Sequence, residues 1–383
     1  MTAKRPRISL MRPLLLGHET AIHYLAQIDK NRWYSNFGPL VQKLESRLSE
    51  LFRTGEGSVV TVGNGTAGLV NVLRAMNLPR GSLCLMPSWT FIATPASVIA
   101  AGLTPYFMDV DEASWALDIR SVEHVAAELK GKVSAVMVVA PFGAPLDVAA
   151  WDAFSERSGL PVIIDAAAGF DAFSSTQGSR PGRSPVMVSM HATKTFGVGE
   201  GGAVISTNTA LIERVRQMSN FGFSDTREII VPGTNGKMSE YTAAFAHAAL
   251  DLWPQTREFW LCRKWFYAEA FKQLGAEIAT HPWIDGQWAS STFSVRLARH
   301  EAGEVIAGLV DAGIESRQWW GKGCHVQPAY RIYPRDPLPV TEALGRSVLA
   351  LPFTLDISRS DVTDIMATLE RLCAPERAAR RSA

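Results

Sequence analysis

The chain has 383 residues, of which 47% are hydrophobic. A chain of this length and composition can bury a large core and typically forms about two domains. Its 38 lysines and arginines nearly balance 37 aspartates and glutamates, so the net charge favours neither nucleic acid nor an anionic membrane as a partner. The basic N-terminus MTAKRPRISL lacks the apolar stretch of a signal peptide, and no later segment reaches transmembrane length, so we expect a cytoplasmic protein.

The spacing of the cysteines argues against a disulfide framework and against a zinc site. Four cysteines are present, and no two lie close together in the sequence: Cys84, Cys262, Cys324 and Cys373. We therefore expect reduced thiols and no bound metal.

Short apolar runs alternate with amphipathic segments between about residues 57 and 206, which is typical of βαβ units and a mostly parallel sheet. The apolar runs predict strands over 58–62, 83–86, 105–110, 135–139, 161–164, 186–190 and 203–206. Apolar residues spaced three and four apart predict helices over 66–76, 91–101, 122–129 and 148–158.

The second part of the chain has a different sequence pattern. A long helical stretch rich in aromatic residues begins near Ser239, and we expect Pro254 to interrupt and kink it. We place a domain boundary near residue 250, between a large α/β domain over 1–250 and a smaller α+β domain over 251–383. The smaller domain is predicted to contain a strand, two helices and a frayed charged tail, over 292–297, 301–312, 362–372 and 376–383. Ser360 and Asp361 are expected to cap the last helix.

Polar or aromatic residues follow several of the predicted strands. Asn64, Trp89, Asp165 and Lys194 each lie just beyond an apolar run. Open α/β sheets bind ligands outside the carboxyl ends of their strands, so these side chains are expected to converge on one site.

Asp165 and Lys194 suggest the chemistry of that site. Asp165 ends PVIID and precedes AAAG, where an unpaired charge would cost several kcal/mol, so it needs a cationic partner. A helix cap or an arginine would also satisfy it. Lys194 lies in SMHATKTFGVGEGG, whose glycines allow a flat ligand to lie against the chain and leave room for a substrate. The alternative is a loop lysine that extends into water.

Two further segments complete the pattern. VGNGTAGL, residues 62–69, breaks from a strand into a helix N-terminus, which is a ready phosphate site, although it matches neither a Walker loop nor GxGxxG. Trp89 in PSWTFIAT either packs in the core or offers its face to a planar ring. An amine, an acid, a phosphate site and an aromatic face are together what pyridoxal 5′-phosphate (PLP) requires.

The chain resembles the DegT/StrS family of nucleotide-sugar aminotransferases, which have the aspartate aminotransferase type of fold, fold type I. The resemblance covers nearly the whole chain. It is carried, in the family's order, by NRWYSNFGPLV, NGTAGL, PSWTFIATPAS, PYFMDVD, VIIDAAA, SMHATKTFGVGEGGAVIS, GTNGKMSE and VTEALGRSVLALPF.

The resemblance implies a role for each matching residue. Lys194 would form the Schiff base with PLP, Asp165 would pair with its pyridine nitrogen, and Trp89 would stack on its ring. The phosphate would be held by Gly65, Thr66, Ala67 and Ser189. Asn235 resembles an asparagine that reaches the phosphate of the neighbouring subunit, which implies a homodimer with shared active sites.

The chain departs from the family pattern at Ala168, where the family usually has His or Gln to bond the phenolic oxygen of the cofactor. Water or another side chain would have to replace that bond. Two histidines near the site, His191 and His325, are expected to be structural.

The implied function is a two-stage transamination. An amino acid, expected to be glutamate, loads the cofactor, and a nucleotide-linked keto-deoxysugar then receives the amino group. The products would be amino sugars for a surface polysaccharide such as lipopolysaccharide, or for a glycosylated metabolite. The nucleotide, the sugar and the choice of C3 or C4 depend on loop geometry.

Three alternatives remain from the sequence. Relatives that are sugar 3-dehydratases carry histidine in place of the lysine, whereas this chain has Lys194. A non-catalytic regulator that binds PLP or a sugar nucleotide has only Ala168 in its favour. A dinucleotide-binding dehydrogenase lacks its glycine fingerprint here.

Overall fold

The computed structural model describes residues 6–223, 228–272, 278–281 and 286–374. The charged tail over 376–383 therefore lies outside the described residues. The helices are α1 His18–Asn31, α2 Pro39–Phe52, α3 Gly65–Ala75, α4 Ala93–Ala100, α5 Ile119–Glu128, α6 Val148–Ser158, α7 Phe170–Ser174, α8 Thr209–Ser219, α9 Glu240–Phe271, α10 Ala302–Asp311, α11 Pro339–Ser347 and α12 Arg359–Cys373. The strands are β1 Val59–Val62, β2 Leu83–Pro87, β3 Thr104–Met108, β4 Val133–Val139, β5 Val162–Asp165, β6 Val186–Ser189, β7 Gly202–Ile205, β8 Ile278–Thr280, β9 Phe293–Leu297 and β10 Val348–Leu351.

The seven strands predicted between residues 57 and 206 form one sheet, in the order β1-β7-β6-β5-β4-β2-β3. Only β7 runs antiparallel to its neighbours, β1 and β6. Pairs β2/β3, β2/β4, β4/β5 and β5/β6 are parallel. Helices cover both faces, which explains why the strands are almost continuously apolar. The predicted α/β class and mostly parallel sheet are confirmed.

The helix α9 corrects one prediction. It runs unbroken from Glu240 to Phe271, with Pro254 inside it, so the proline does not end the helix. Buried indoles on either side, Trp253 and Trp260, anchor both halves by tertiary packing, which overrides the local preference. Within the described ranges, no helix is both long and apolar enough to cross a bilayer.

The start of the last helix corrects another prediction. Ser358 is the N-cap of α12, and its hydroxyl accepts a hydrogen bond from the backbone N–H of Asp361 while the Asp361 carboxylate accepts one from the Ser358 N–H. Of the two predicted caps, Ser360 lies inside the helix, whereas Asp361 takes part in the capping box. The reciprocal capping box fixes the start of α12 two residues earlier than a cap at Ser360 would.

The hydrophobic cores lie on the two faces of the large sheet and around a small antiparallel sheet of order β10-β9-β8. Residue 250 lies within α9, which passes from one region to the other. Ile8 packs in the core of the small sheet, and its backbone pairs with residues 313 and 315. The division into domains over 1–250 and 251–383 stays a proposal, and the segment around Ile8 would belong to the second.

Candidate active site

The carboxyl ends of the parallel strands bring the candidate residues to one edge of the sheet. Asp165 is the last residue of β5, and Ser189 is the last residue of the neighbouring strand β6. The loop from β6 to β7 carries Lys194, while α3 begins at Gly65 just beyond β1. This edge is where an open α/β sheet binds its ligand.

Asp165 is buried, with 5% of its surface exposed, and both carboxylate oxygens accept a hydrogen bond. The Thr94 hydroxyl donates to Oδ2 at 2.8 Å, and the Ala167 N–H donates to Oδ1 at 3.2 Å. Burial raises the pKa of Asp165, while these two bonds and the charge of Lys194 oppose the rise. Neither a helix cap nor an arginine provides its partner among the described contacts, in contrast to the alternatives that the sequence left open.

Lys194 lies in a compact turn beside this carboxylate. Its N–H donates to the carbonyl of His191 at 2.9 Å, and backbone bonds from Ala192 to Gly199 and from Val198 to Met190 close the loop. Burial lowers the pKa of Lys194, and the charge of Asp165 acts in the opposite direction. Each of the two charges therefore acts on the pKa of the other, and Lys194 is only partly exposed, so it does not extend freely into water.

The glycines of the lysine loop are packed more closely than expected. A Cβ at Gly197 would lie 2.7 Å from the carbonyl oxygen of Ala192, and a Cβ at Gly202 would lie 3.1 Å from the backbone nitrogen of Gly65. The first distance is too short for a Cβ unless the backbone shifts, and the second is tighter than most real Cβ contacts. The expectation that these glycines leave room for a substrate is wrong at these two positions, where they allow backbone segments to approach each other.

The N-terminus of α3 lies next to Ser189. A Cβ at Gly65 would lie 3.3 Å from Cβ of Ser189, so the helix start and the strand end are in contact. The Asn64 side chain caps the helix by accepting from the Ala67 N–H at 2.8 Å. First-turn N–H groups have no partner within their own helix, so those of Gly65 and Thr66 stay available in the described structure.

The sequence placed Asn64 at this edge of the sheet but gave it no role, and the structure shows that it is the N-cap of α3. It follows a strand and precedes a helix, which is the usual position of an N-cap asparagine. Its residue type could therefore have identified it as a cap from the sequence. Because its side chain already bonds the Ala67 N–H, Ala67 is the least available of the three predicted N–H donors. The other residues of the predicted phosphate site lie together in the structure.

Trp89 lies in an aromatic cluster with Trp115, Phe142 and Trp320. It is 1% exposed and packs edge-on against these three rings, with centroid distances of 5.3, 5.6 and 4.8 Å. Trp320 is stacked on Phe142 at 4.4 Å. Within the described residues, Nε1 of Trp89 has no hydrogen-bond partner. The indole has the core packing that the sequence left open, and stacking on a cofactor would require a neighbouring ring to move.

Asn235 is exposed on a loop that lies against the end of β1. The Gly63 N–H donates to the carbonyl of Gly236 at 2.7 Å, which fixes the loop near the start of α3. Oδ1 of Asn235 accepts a hydrogen bond from Nζ of Lys237 at 2.8 Å. The Asn235 side chain is therefore exposed at the surface of this chain.

The two histidines have well-defined polar partners. Nδ1 of His325 lies 2.7 Å from the Ser88 hydroxyl, and His325 is buried. Nδ1 of His191 lies 2.8 Å from the hydroxyl of Thr193 within the lysine loop. These contacts suit the structural roles expected of both. In the described part of the chain, no cluster of acidic, histidine and cysteine side chains is suited to a metal ion.

The site fits PLP in three of its requirements. A lysine amine lies near a buried carboxylate, and a helix N-terminus with a neighbouring serine is placed to bind a phosphate. Ala168 is partly exposed at the same edge and has no polar side-chain atom, so the bond to the phenolic oxygen has no direct replacement at that position.

Comparison with known proteins identifies the class and then the family. The crystal structure of DesI with its TDP-sugar product matches with a TM-score of 0.85 and 29% identity, covering 97% of this chain and 94% of DesI. The fold is that of the PLP-dependent aminotransferases. Residues 16–370 match the DegT/DnrJ/EryC1/StrS aminotransferase family, and the chain belongs to it. It is a PLP-dependent aminotransferase.

Two relatives illustrate the range of similarity. Protein Rv3402c of Mycobacterium tuberculosis is 28% identical over 379 residues, which is 95% of this chain and 90% of the relative. The dTDP-4-amino-4,6-dideoxy-D-glucose transaminase of Shigella dysenteriae is 35% identical over 246 residues, which is 64% of this chain and 65% of the relative.

Proposed function

We propose that this aminotransferase moves an amino group from glutamate to the ketone carbon of a nucleotide-linked keto-deoxysugar. The similarity to the Shigella transaminase and to DesI, which was crystallised with a TDP-sugar product, supports a sugar nucleotide as the acceptor. The product would be an amino sugar for a surface polysaccharide such as lipopolysaccharide, or for a glycosylated metabolite. We place the reaction in the cytoplasm.

The observation that carries this proposal is the placement of Asp165 at the end of β5 and of Lys194 in the β6–β7 loop, at the same carboxyl edge of the sheet. The charge of each residue acts on the pKa of the other. Bound PLP supplies an electron sink for the substrate carbon that loses its proton. Lys194 would hold the cofactor and then carry that proton, which requires a neutral amine. Burial favours the neutral amine because it lowers the pKa of Lys194.

Asp165 would hold the ring nitrogen in its protonated form. Its two hydrogen bonds offset part of the burial that raises its pKa, so they help the carboxylate to keep its charge. A protonated ring nitrogen strengthens the electron sink. Gly65, Thr66 and Ser189 would hold the phosphate at the N-terminus of α3, while Ala67 is already bonded to Asn64. Trp89 would contact the ring if Trp320 or Phe142 moved aside.

A glutamate-dependent assay with a panel of keto-sugar nucleotides tests the reaction. NMR identification of the product decides between amination at C3 and at C4. The wild-type protein should produce an amino sugar, and the variant Lys194→Ala should produce none. Lys272→Ala is the control, because this lysine is exposed and its amine pairs with Glu269 at 2.6 Å, so it should not be needed for chemistry.

Other products would favour the alternatives. A deoxygenated sugar without nitrogen would indicate a dehydratase. Binding of the cofactor without turnover across the whole panel would indicate a regulator. Wild-type rates in Lys194→Ala would exclude the proposed chemistry.

We further propose a homodimer in which Asn235 completes the site of the partner. Mixing Lys194→Ala with Asn235→Ala tests this, because a mixed dimer would contain one intact site. Random mixing should restore roughly a quarter of wild-type activity, since half of the dimers are mixed and each has one active site of two. If Asn235 serves its own subunit, mixing restores nothing.

A further inference from the structure

A chain of hydroxyl groups leads from the loop after β2 to the buried carboxylate. Oγ1 of Thr90 lies 2.8 Å from Oγ1 of Thr94, which lies 2.8 Å from Oδ2 of Asp165. Thr94 is fully buried, and Thr90 is 3% exposed. Thr94 is in the first turn of α4, whereas Asp165 ends β5, so the contact links two elements that lie 71 residues apart in the sequence.

The direction of these hydrogen bonds follows from the number of protons. A threonine hydroxyl has one proton to donate and can accept through its oxygen. Thr94 donates its proton to the carboxylate of Asp165, so it must accept from Thr90. The chain is therefore directed from Thr90 through Thr94 to Asp165. Polar groups aligned in this way in a buried site reinforce one another.

We propose that Thr94 is a positioning residue, which fixes the Asp165 carboxylate for the ring nitrogen of the cofactor, and that Thr90 fixes Thr94. This inference rests on the role proposed for Asp165. The two donors, the Thr94 hydroxyl and the Ala167 N–H, occupy one position on each carboxylate oxygen. They set the rotation of the carboxylate and leave its remaining lone pairs for a further donor.

The charge balance around Asp165 explains why a neutral donor matters here. Burial has the largest effect on the pKa of Asp165 and raises it, which favours the uncharged acid. The hydrogen bond from Thr94 is the largest effect that lowers this pKa. Lys194 is the charged group that acts on Asp165 among the described residues. Once Lys194 is neutral, the hydroxyl of Thr94 is still present to stabilise the charged carboxylate, because a hydroxyl donates at any pH of interest.

Three variants separate positioning from mere packing. Thr94→Val removes the hydroxyl with little change of shape, and Thr94→Ser keeps the hydroxyl. Thr90→Val removes the donor to Thr94 and serves as a milder test if Thr94→Val does not fold. The matched control is Thr61→Val, since Thr61 is also fully buried and its hydroxyl donates to a buried carboxylate, Glu45, at 3.0 Å.

The measurements are the dissociation constant of PLP for each refilled apoprotein and the pH midpoint of the absorbance change of the bound cofactor. We expect Thr94→Val to weaken PLP binding on the order of tenfold, as the loss of a hydrogen bond to a charged group predicts. The pH midpoint should rise. When the ring nitrogen is less fully protonated, its positive charge repels a proton on the lysine nitrogen less strongly. Thr94→Ser should restore both values, and Thr90→Val should lie between Thr94→Val and the wild type.

Thr61→Val should lower the thermal midpoint without changing either cofactor measurement. Wild-type PLP affinity and pH midpoint in Thr94→Val would overturn the proposal, as would a Thr94→Ser variant as defective as Thr94→Val. Equal changes in Thr61→Val would reduce the effect to general destabilisation and would also overturn it. A wild-type protein that binds no PLP at Lys194 would instead overturn the proposed site itself.

Discussion

Replacing Asp165 with Asn removes a charge while keeping the shape of the side chain. The amide has only one accepting oxygen, so either the Thr94 hydroxyl or the Ala167 N–H loses its acceptor. The charge-assisted bond to the ring nitrogen is lost as well. A hydrogen bond to a charged group contributes about 3 kcal/mol at the upper end of the usual range. Each 1.4 kcal/mol is about tenfold in rate, so kcat/KM should fall by about 100-fold.

The assay follows the half-reaction with glutamate through the spectrum of the cofactor and compares it with steady-state turnover. Asp171→Asn is the matched control, because Asp171 is also buried and also accepts a backbone bond, from the Ala289 N–H at 2.6 Å. It pairs with Arg257 at 2.7 Å, and Lys194 is not among the charged groups that act on its pKa. Removing one member of such a pair should destabilise the fold by about 3 kcal/mol and leave the cofactor spectrum unchanged.

The outcome that refutes this reasoning is a rate for Asp165→Asn within about threefold of wild type, since a charge at the ring nitrogen has to be worth more than that. An equal loss of rate in Asp171→Asn would also refute it, because the defect would then come from unfolding.

Three further predictions concern the support of the site and the stability of the fold. Asn64→Ala should lower the unfolding free energy by about 1 kcal/mol through loss of the α3 cap, and Asn64→Ser should keep most of it, as denaturant unfolding can measure. Gly202→Ala should lower it by about 1–3 kcal/mol, because the new Cβ would lie 3.0 Å from the carbonyl oxygen of Val188; an unchanged midpoint would show that the strand can shift freely. Burial lowers the pKa of His247 to about 4, below the value near 6.5 in an unfolded chain, so its contribution to stability is lost as the pH falls from about 6.5 to 4. At about pH 4.5 the loss of unfolding free energy amounts to about 2–3 kcal/mol, and His247→Gln should flatten the decline in unfolding free energy between neutral and acid pH.

The sequence predicted the sheet and the most chemically distinctive residues well. Each strand of the large sheet is an apolar run with clear boundaries, and a parallel sheet covered on both faces favours such runs. Asp165 and Lys194 were identifiable because a charged residue beyond an apolar run requires an explanation. Their positions predict that they lie at the same edge of the sheet, which is where the structure places both.

Residues with ordinary identities at ordinary positions were not predictable. Thr94 looks like any threonine in a helix, and only the fold brings it to Asp165. The burial of Trp89 depends on Trp320, which comes from a distant part of the chain. Helix ends were also uncertain, because Ser358 and Ser360 are both plausible caps and only the hydrogen bonds of the backbone decide between them.

The most direct test of the account is to identify the lysine that binds PLP. The purified protein should be yellow, and reduction with borohydride should bleach it and fix the cofactor to the chain. Mass mapping of a digest should then find the label on Lys194 and find none in Lys194→Ala. A label on Lys237, or a colourless wild-type protein after incubation with PLP, would contradict the central claim that Lys194 and Asp165 hold opposite ends of one cofactor.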